Sequence, residues 1–310
     1  MGISIENSTF TEFHISSFYV NGNIQVVLFA GVLLMYLSSV FGNVTITVLV
    51  CLVSKLHTPM YFFLCNLAVQ DIVFVSTTLP KLMAVTLTGD TSISFNGCIT
   101  QMFMFILCVT VEFFLLTFMA YDRYVAICRP LCYLLIMTQR LCILFASLSW
   151  IFGAVHALLY YLLIHNLSFC NIKDINHFYC ELKAVLRESC GDISYIKNLF
   201  PVESVFLGMI PFVLILISYG YIIRTILKIH SSAGRAKTFS SCSSHLTIVI
   251  IFCGTLISMY VKPDSQNYQE LEKVMSLLYT AVVPMLNPLI YSLRNKDVLK
   301  AMGYIMNKYK

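Results

Sequence analysis

Residues 119–128, MAYDRYVAIC, decide how this chain folds. They end an apolar run that begins near Cys98 and that, at roughly 20 residues, is long enough to cross a bilayer. Asp122 and Arg123 therefore lie where a spanning helix leaves the membrane, because charges deeper inside would be costly. The two side chains are adjacent and opposite in charge. An ion pair that can be broken at the inner mouth of a helix bundle predicts a signalling switch.

The composition is that of a multi-span membrane protein. Of the 310 residues, 58% are hydrophobic and 11% are charged, and the mean hydropathy is +0.81. A soluble domain of this length carries about 25% charged residues. Long apolar stretches number seven: about 24–53, 58–80, 98–121, 140–164, 199–223, 238–261 and 273–293. We predict an all-α fold: an extracellular tail (1–23), a seven-transmembrane helix bundle (24–293) and a cytoplasmic segment (294–310) that forms a short amphipathic helix.

The placement of lysine and arginine predicts the orientation in the membrane. With the amino terminus outside, the inner segments contain 13 of the 20 basic residues and 2 of the 15 acidic ones. These cations lie close to helix ends, where they fit an anionic inner leaflet, so no nucleic acid is expected as a partner. The tail lacks the layout of a cleavable signal, and the first helix would have to direct its own insertion.

Four of the 12 cysteines fall on the outer side. Cys98 lies at the top of the third helix, while Cys170, Cys180 and Cys190 lie in the long loop that follows the fourth. An oxidising exterior favours disulfides, and four cysteines allow three pairings, among which the residues alone do not choose. Asn7 begins an Asn-Ser-Thr sequon in the tail and is the candidate glycosylation site.

Two carboxylates lie deep inside apolar helices, Asp71 in the second and Glu112 in the third. An ionisable residue inside the membrane is a candidate functional group. With Asn43 and Asn287 they would form a polar core that holds a sodium ion or shares a proton. The alternative is a neutral Glu112 hydrogen-bonded to Asp71, with no ion.

Longer motifs connect the chain to a family. They are LHTPMYFFL (56–64), KTFSSCSSHL (237–246) and PMLNPLIYSLRN (284–295), together with Gly42-Asn43 and Ser218-Tyr219. With MAYDRYVAIC, these strings resemble the olfactory receptors, a branch of the rhodopsin-like G-protein-coupled receptors, over nearly the whole chain. The short outer loops resemble those of the class II type.

The resemblance implies a receptor that is not an enzyme and needs no cofactor. It would lie in the plasma membrane of olfactory cilia, bind a small volatile odorant and activate a stimulatory-type heterotrimeric G protein to raise cyclic AMP. It also implies the disulfides Cys98–Cys180 and Cys170–Cys190. The implied switch residues are Asp122, Arg123, Tyr124, Tyr219, His245, Asn287, Pro288 and Tyr291. Pro288 interrupts the helical hydrogen bonding and is expected to act as a hinge.

An odorant pocket should be mostly apolar with a few placed polar groups. On the third helix the candidates fall on one face at helical spacing, and the fifth, sixth and seventh helices supply the rest. They are Met102, Phe105, Ile106, Val109, Thr110, Glu203, Leu207, Cys253, Leu256, Ile257, Tyr260, Leu277 and Thr280.

Two of these residues depart from the pattern of the family. Cys253 replaces a usual tyrosine, which should deepen the pocket and remove a hydroxyl. Glu203 lies about one turn inside the fifth helix, where most relatives are apolar. Three roles are open for its carboxylate: it binds a hydroxyl or amine of the ligand, it accepts from His156 or Tyr160, or it pairs with Lys183 or Arg187 of the loop.

Other classes of protein fit less well. A transporter or channel would show an internal repeat or a line of pore charges, and neither is visible. The seven histidines are too scattered to suggest an enzyme. Within the receptors, the alternative is a non-olfactory chemoreceptor for a small metabolite.

Overall fold

Long helices make up most of the computed structural model, which describes residues 12–18, 22–169, 174–260, 269–294 and 296–308. Single helical turns lie at Tyr133–Ile136 and Leu182–Arg187. The long helices are α1 (Gly22–Leu52), α2 (Pro59–Thr88), α3 (Phe95–Cys128), α4 (Gln139–His165), α5 (Ser194–Leu227), α6 (Ser232–Tyr260), α7 (Gln269–Leu277, Leu278–Val282 and Val283–Arg294) and α8 (Lys296–Lys308).

The described helices form the predicted all-α, seven-transmembrane bundle. Six of them are each long and apolar enough to cross a membrane, and α6 completes the seven as two segments that meet at a 47° bend. Two helices are widened by a π-helical turn: α5 at Ser204–Met209 and α7 at Leu278–Val282. Single π-turns of this kind often lie at functional sites.

The burial of each helix places α3 at the centre of the bundle. In the most apolar part of α3, 67% of the residues are buried, whereas the corresponding shares are 11% in α1 and 12% in α5. Large side chains such as Val26, Phe41 and Phe206 are more than half exposed on the outer helices. These side chains would face lipid, since lipid tails are as apolar as the protein interior.

A glycine allows α1 and α7 to approach closely. A Cβ atom on Gly42 would lie 2.7 Å from the Pro288 side chain, closer than real Cβ contacts come. Because the two helices lie so close here, Nδ2 of the neighbouring Asn43 can donate to the carbonyl oxygen of Pro284 on α7 at 3.2 Å. Small residues at helix contacts are the usual means of close packing in membranes.

A small sheet covers the end of the bundle that carries Cys98, which we call the outer end in accordance with the predicted orientation. Strand β1 (Glu12–Ile15) lies between β2 (Ser92–Ser94), to which it is antiparallel, and β3 (Asp174–Ile175), to which it is parallel. Phe13 and Ile15 are fully buried. The sequence predicted a tail over 1–23, so this strand is a new feature.

The predicted spans agree with the helices except near some ends. The second span was predicted to end at residue 80, but α2 continues through Pro80 to Thr88. A proline within a membrane helix is tolerated because neighbouring groups satisfy the freed carbonyl. The predicted C-terminal amphipathic helix is confirmed as α8, on which Val298 and Ala301 are buried while Tyr304 is 62% exposed.

Candidate functional site: an outer chamber and an inner switch

The long loop between α4 and α5 is fastened over the outer end of α3. The structure contains the disulfide Cys98–Cys180 that the family resemblance implied. Gln101, one turn further along α3, accepts from the backbone N–H of Cys180 at 2.9 Å and donates to the carbonyl oxygen of Thr77 at 2.9 Å. One covalent bond and two hydrogen bonds therefore hold the loop against α2 and α3. Cys190 is also disulfide-bonded, but Cys170 lies outside the described residues.

A cluster of aromatic rings lies beneath this loop. Phe105 of α3 stacks on Tyr179 of the loop, with ring centroids 4.9 Å apart, and packs against Phe74 of α2 at 5.3 Å. Tyr279, in the π-helical turn of α7, contacts Phe74 at 5.3 Å and Phe252 of α6 at 5.8 Å. We call these five rings the aromatic floor. The floor joins four elements of the bundle below the outer loop.

Glu203 belongs to a polar cluster between α3, α4 and α5. Its carboxylate accepts a short hydrogen bond from the hydroxyl of Tyr160, and its Oε2 lies 3.4 Å from Nε2 of His156. The other ring nitrogen of His156 lies 2.8 Å from Oγ1 of Thr110. The side chains of Glu203 and His156 are 13% and 16% exposed. Of the roles left open by the sequence, the structure displays the contact with His156 and Tyr160.

The other predicted ligand-binding residues differ in their burial. Met102, Ile106, Cys253 and Thr280 are buried, whereas Val109, Leu207 and Leu277 are partly exposed. Thr280 donates to the carbonyl oxygen of Ser276 at 2.8 Å. The side chains of Leu256, Ile257 and Tyr260 lie outside the described residues, as does Asn7.

The polar core lies deeper, between α1, α2, α3 and α7. Asn287 donates from Nδ2 to both carboxylate oxygens of Asp71, at 2.9 and 3.2 Å. The hydroxyl of Tyr279 donates to Oε2 of Glu112 at 3.5 Å. Asp71 and Glu112 thus have different partners, and the alternative of a direct hydrogen bond between them does not appear among the contacts of the described residues.

At the inner end of α3, the adjacent charges pair as their sequence predicts. Arg123 Nη2 lies 3.5 Å from Asp122 Oδ2, and Asp122 is fully buried. The hydroxyl of Tyr133 donates to Oδ1 of Asp122 at 2.8 Å. Since Tyr133 lies in the loop between α3 and α4, this loop holds the Asp122 carboxylate in place. The side chain of Arg123 is 17% exposed.

A second set of inner contacts joins α3, α5 and α6. His245 Nε2 donates to the carbonyl oxygen of Leu116 at 3.1 Å, because that oxygen can only accept. Its Nδ1 lies 2.7 Å from the hydroxyl of Tyr219, and the two rings stack with centroids 5.8 Å apart. We call Leu116, Tyr219 and His245 the inner clamp. Tyr124 of α3 is partly exposed, and Tyr291 of α7 is buried.

Sequence reasoning missed three residues that complete these sites: Tyr133, Tyr179 and Tyr279. Tyr179 directly precedes Cys180, so the disulfide implied its location at the outer end of α3. Tyr279 precedes the predicted Thr280 and lies on a different helical face, which the π-helical turn brings inward. Tyr133 had no signal, because its contact with Asp122 depends on how the inner loop folds.

Two buried ionisable side chains of the outer loop have shifted pKa values. Burial, with the charges of Lys273 and Arg187 nearby, lowers the pKa of His177 to about 3, so its imidazole is neutral at pH 7. It lies 3.2 Å from the hydroxyl oxygen of Ser276 on α7. Burial, with the charge of Glu272, raises the pKa of Glu181 to about 7. Near neutral pH, the protonation of Glu181 is therefore sensitive to pH.

Seven helices around a central α3 with an Asp-Arg pair at one end define the class of G-protein-coupled receptors. The family model described as olfactory receptor matches residues 32–308. Olfactory receptor 1 of Rattus norvegicus is 47% identical over 287 residues, which is 92% of this chain and 91% of that relative. Olfactory receptor 13F1 of Homo sapiens is 44% identical over 294 residues (95% and 92%), and Olfactory receptor 1J1 of Homo sapiens is 44% identical over 307 residues (99% and 95%). The chain belongs to the olfactory receptor family, whose members are membrane receptors and not enzymes.

Proposed function

We propose that this receptor binds a small volatile ligand above the aromatic floor and activates a stimulatory-type G protein, which raises cyclic AMP. The contact between Tyr279 and Glu112 carries the proposal. Tyr279 belongs to the aromatic floor and also donates a hydrogen bond to Glu112 of the polar core. A ligand that displaces its ring would therefore disturb Glu112 in the same movement.

The polar cluster indicates which ligands the chamber would select. An ionised carboxylate has about four acceptor positions, and the described contacts of Glu203 use two of them, one at each oxygen. Glu203 can thus accept from a ligand without losing Tyr160. We propose that alcohols, phenols and amines are preferred over esters and hydrocarbons, because they supply a donor to a mostly buried acceptor. A direct ion pair of Glu203 with Lys183 or Arg187 is the alternative that the ligand test must exclude.

The polar core would hold a sodium ion or a shared proton at rest, and activation would release or rearrange it. Gln70, the neighbour of Asp71 on α2, also reaches Glu112, and three buried oxygens here lack a hydrogen-bond partner of good geometry within the described chain: Glu112 Oε1, Gln70 Oε1 and Asn287 Oδ1. Oxygen atoms are the ligands that hard cations prefer, so these atoms, with the carboxylate of Asp71, fit either a sodium ion or a shared proton. No cluster of three or more histidine, cysteine or acidic ligands for a metal occurs among the described residues, so amide oxygens would have to complete any sodium shell.

The inner contacts support a resting form of the switch. Arg123 is held by Asp122, and the inner clamp ties α6 to α3 and α5. Activation would release α6, and Arg123 would then meet the G protein with Tyr219 and Tyr291 closing beneath it. Pro288 remains the proposed hinge in α7. Each of these bonds contributes about 1 kcal/mol, which is small enough for ligand binding to overcome.

The orientation, the glycan and the second outer disulfide remain proposals. We place the amino terminus outside, with glycosylation at Asn7 and a bridge between Cys170 and Cys190. Localisation to the plasma membrane of olfactory cilia rests on the family alone.

The test is a cyclic-AMP reporter assay in cells that express the chain and are exposed to a chemically broad volatile panel. The proposal expects concentration-dependent responses to a subset of hydroxyl- or amine-bearing volatiles. Tyr279→Phe should weaken those responses while surface expression is retained, because it keeps the ring and loses the bond to Glu112. No response to the volatile panel, with responses to a parallel set of involatile metabolites, would instead favour the alternative chemoreceptor.

A further inference from the structure

A groove of about 390 Å³ opens on the side of the bundle between α3, α4 and α5, in its inner half. Its α3 wall includes Phe118, Tyr121 and Tyr124, and its α5 wall includes Ile217 and Tyr221. Ile217 is 49% exposed and Tyr221 is 53% exposed. The groove therefore faces the lipid and is separate from the outer chamber and the inner clamp.

The walls of the groove are flat rings that fix its shape. Phe118 stacks on Phe145 of α4 with centroids 4.2 Å apart, and Tyr121 meets Phe145 edge-on at 6.3 Å. Tyr124 and Tyr221 close the inner end, with centroids 5.7 Å apart. The volume is within the range of small-molecule sites, about 300–1,000 Å³. A preformed apolar groove of this size suits a hydrocarbon chain.

Two cations lie beyond the groove on the same face of α5 as Ile217. Arg224 and Lys228 follow Ile217 by 7 and 11 residues, spacings that return to the same face of a helix. Both are exposed, and neither has an ion-pair partner among the described residues. Tyrosines Tyr121, Tyr124 and Tyr221 lie between these cations and the apolar part, as expected at the level of lipid headgroups.

We propose that this groove binds an anionic phospholipid of the cytoplasmic leaflet. One acyl chain would lie between the rings of α3, α4 and α5, and the phosphate would contact Arg224 and Lys228. The charge decides in favour of this occupant, since a sterol has the apolar body but nothing for two cations to neutralise. The leaflet assignment rests on the proposed orientation, whereas the preference for an anionic lipid does not.

Such a lipid would join α3 to α5 directly beside Tyr124, the neighbour of Arg123. A ligand that binds the folded state stabilises it in proportion to its occupancy. The expected consequence is a receptor that is more stable to heat when the lipid is bound.

The test uses the purified full-length chain in neutral detergent micelles, to which phosphatidylglycerol, phosphatidylcholine of identical acyl chains, or a sterol is added. Native mass spectrometry counts bound lipid, and a thermal unfolding scan measures stabilisation. Phosphatidylglycerol should bind and raise the melting temperature, and phosphatidylcholine should do so much less. The double variant Arg224→Gln/Lys228→Gln should bind phosphatidylglycerol about 30-fold more weakly, at about 1 kcal/mol for each cation.

A matched double variant, Arg129→Gln/Arg140→Gln, removes two exposed inner cations that do not belong to α5. It should bind phosphatidylglycerol as tightly as the unmodified chain does. Ile217→Trp fills the groove and should lower lipid binding while the charges remain, which provides a second test if the first variant does not fold. Equal binding of both lipids, or an unchanged affinity in the Arg224/Lys228 variant, would overturn the proposal, as would stabilisation by a sterol alone. Because neither an odorant nor a G protein is present, failure of the proposed signalling function would leave this result unaffected.

Discussion

The two ends of the bundle are held together by different kinds of interaction. The outer end is held by the Cys98–Cys180 disulfide, by stacked rings and by a three-stranded sheet. The inner end is held by an ion pair and by the hydrogen bonds of Tyr133, Tyr219 and His245. Covalent and apolar contacts keep the outer end in one shape, whereas individual hydrogen bonds can be exchanged. Under the proposed function, the outer end would recognise the ligand and the inner end would move.

The largest expected effect is at the inner end. Arg123→Ala should abolish agonist-dependent cyclic AMP with normal surface expression, because it removes the cation that Asp122 holds at rest and that the G protein would meet. The control Arg140→Ala removes an exposed arginine of α4 and should signal normally. Full signalling by the Arg123 variant would show that the pair is not the switch.

At the outer end, loss of the covalent link should affect folding. Cys180→Ser breaks a bridge that spans 82 residues, and removing a native disulfide commonly costs about 2–5 kcal/mol. We expect most of the surface expression to be lost, as measured by flow cytometry on intact cells. Cys51→Ser removes an exposed free thiol and serves as the control. Peptide mapping under non-reducing conditions would contradict the assignment if Cys98 were found joined to Cys170 or Cys190.

The inner clamp should suppress signalling in the absence of ligand. His245→Phe keeps an aromatic ring but leaves the carbonyl oxygen of Leu116 and the hydroxyl of Tyr219 without this partner, a loss of about 1–3 kcal/mol. Basal cyclic AMP should rise about tenfold, since 1.4 kcal/mol corresponds to that factor. His230→Phe, an exposed histidine between α5 and α6, should leave the basal level unchanged. An unchanged basal level in the His245 variant would mean that the clamp does not hold the resting state.

The smallest effect on signalling concerns the outer loop, where the expected change is in stability and depends on pH. Burial raises the pKa of Glu181 from its usual value of about 4.5 to about 7 in the folded chain. The folded state therefore binds the proton more tightly than the unfolded state, and this contribution to stability is lost as the pH rises from about 4.5 to 7. Glu181→Gln removes the penalty of a buried charge and should stabilise the chain at pH 8 by up to about 3 kcal/mol. A thermal scan in detergent should show almost no difference at pH 4.5, and an equal difference at both pH values would contradict this assignment.

Hydropathy was sufficient to predict the helices, because a bilayer forces the backbone to satisfy its own hydrogen bonds. The second span was predicted to end at residue 80 because its apolar stretch ends there, whereas the helical hydrogen bonding of α2 continues to Thr88. The sheet was not predictable, since Phe13 pairs with Ile93 across a long stretch of chain and a four-residue strand has little pattern of its own.

The candidate site was predictable where a motif or a charge within a span marked it. Asp122, Arg123, Asp71 and Glu112 belong to this group. The partners of these charges were harder to predict, because Tyr133 and Tyr279 are ordinary residues in the sequence and gain their roles from neighbouring helices. For Glu203 the sequence left three roles open, and the approach of α4 to α5 brings its carboxylate to Tyr160 and His156.

The comparison between the two ends is tested most directly by concentration–response curves for cyclic AMP, measured over one volatile panel for Glu203→Gln and His245→Phe. Glu203→Gln should reorder the ligands, weakening amines about tenfold or more relative to alcohols, and should leave basal signalling unchanged. Glu270→Gln, an exposed acid at the outer end of α7, should do neither. His245→Phe should raise the basal level and keep the order of ligands. An unchanged order in the Glu203 variant, or a new order in the His245 variant, would contradict the division into a recognising end and a moving end.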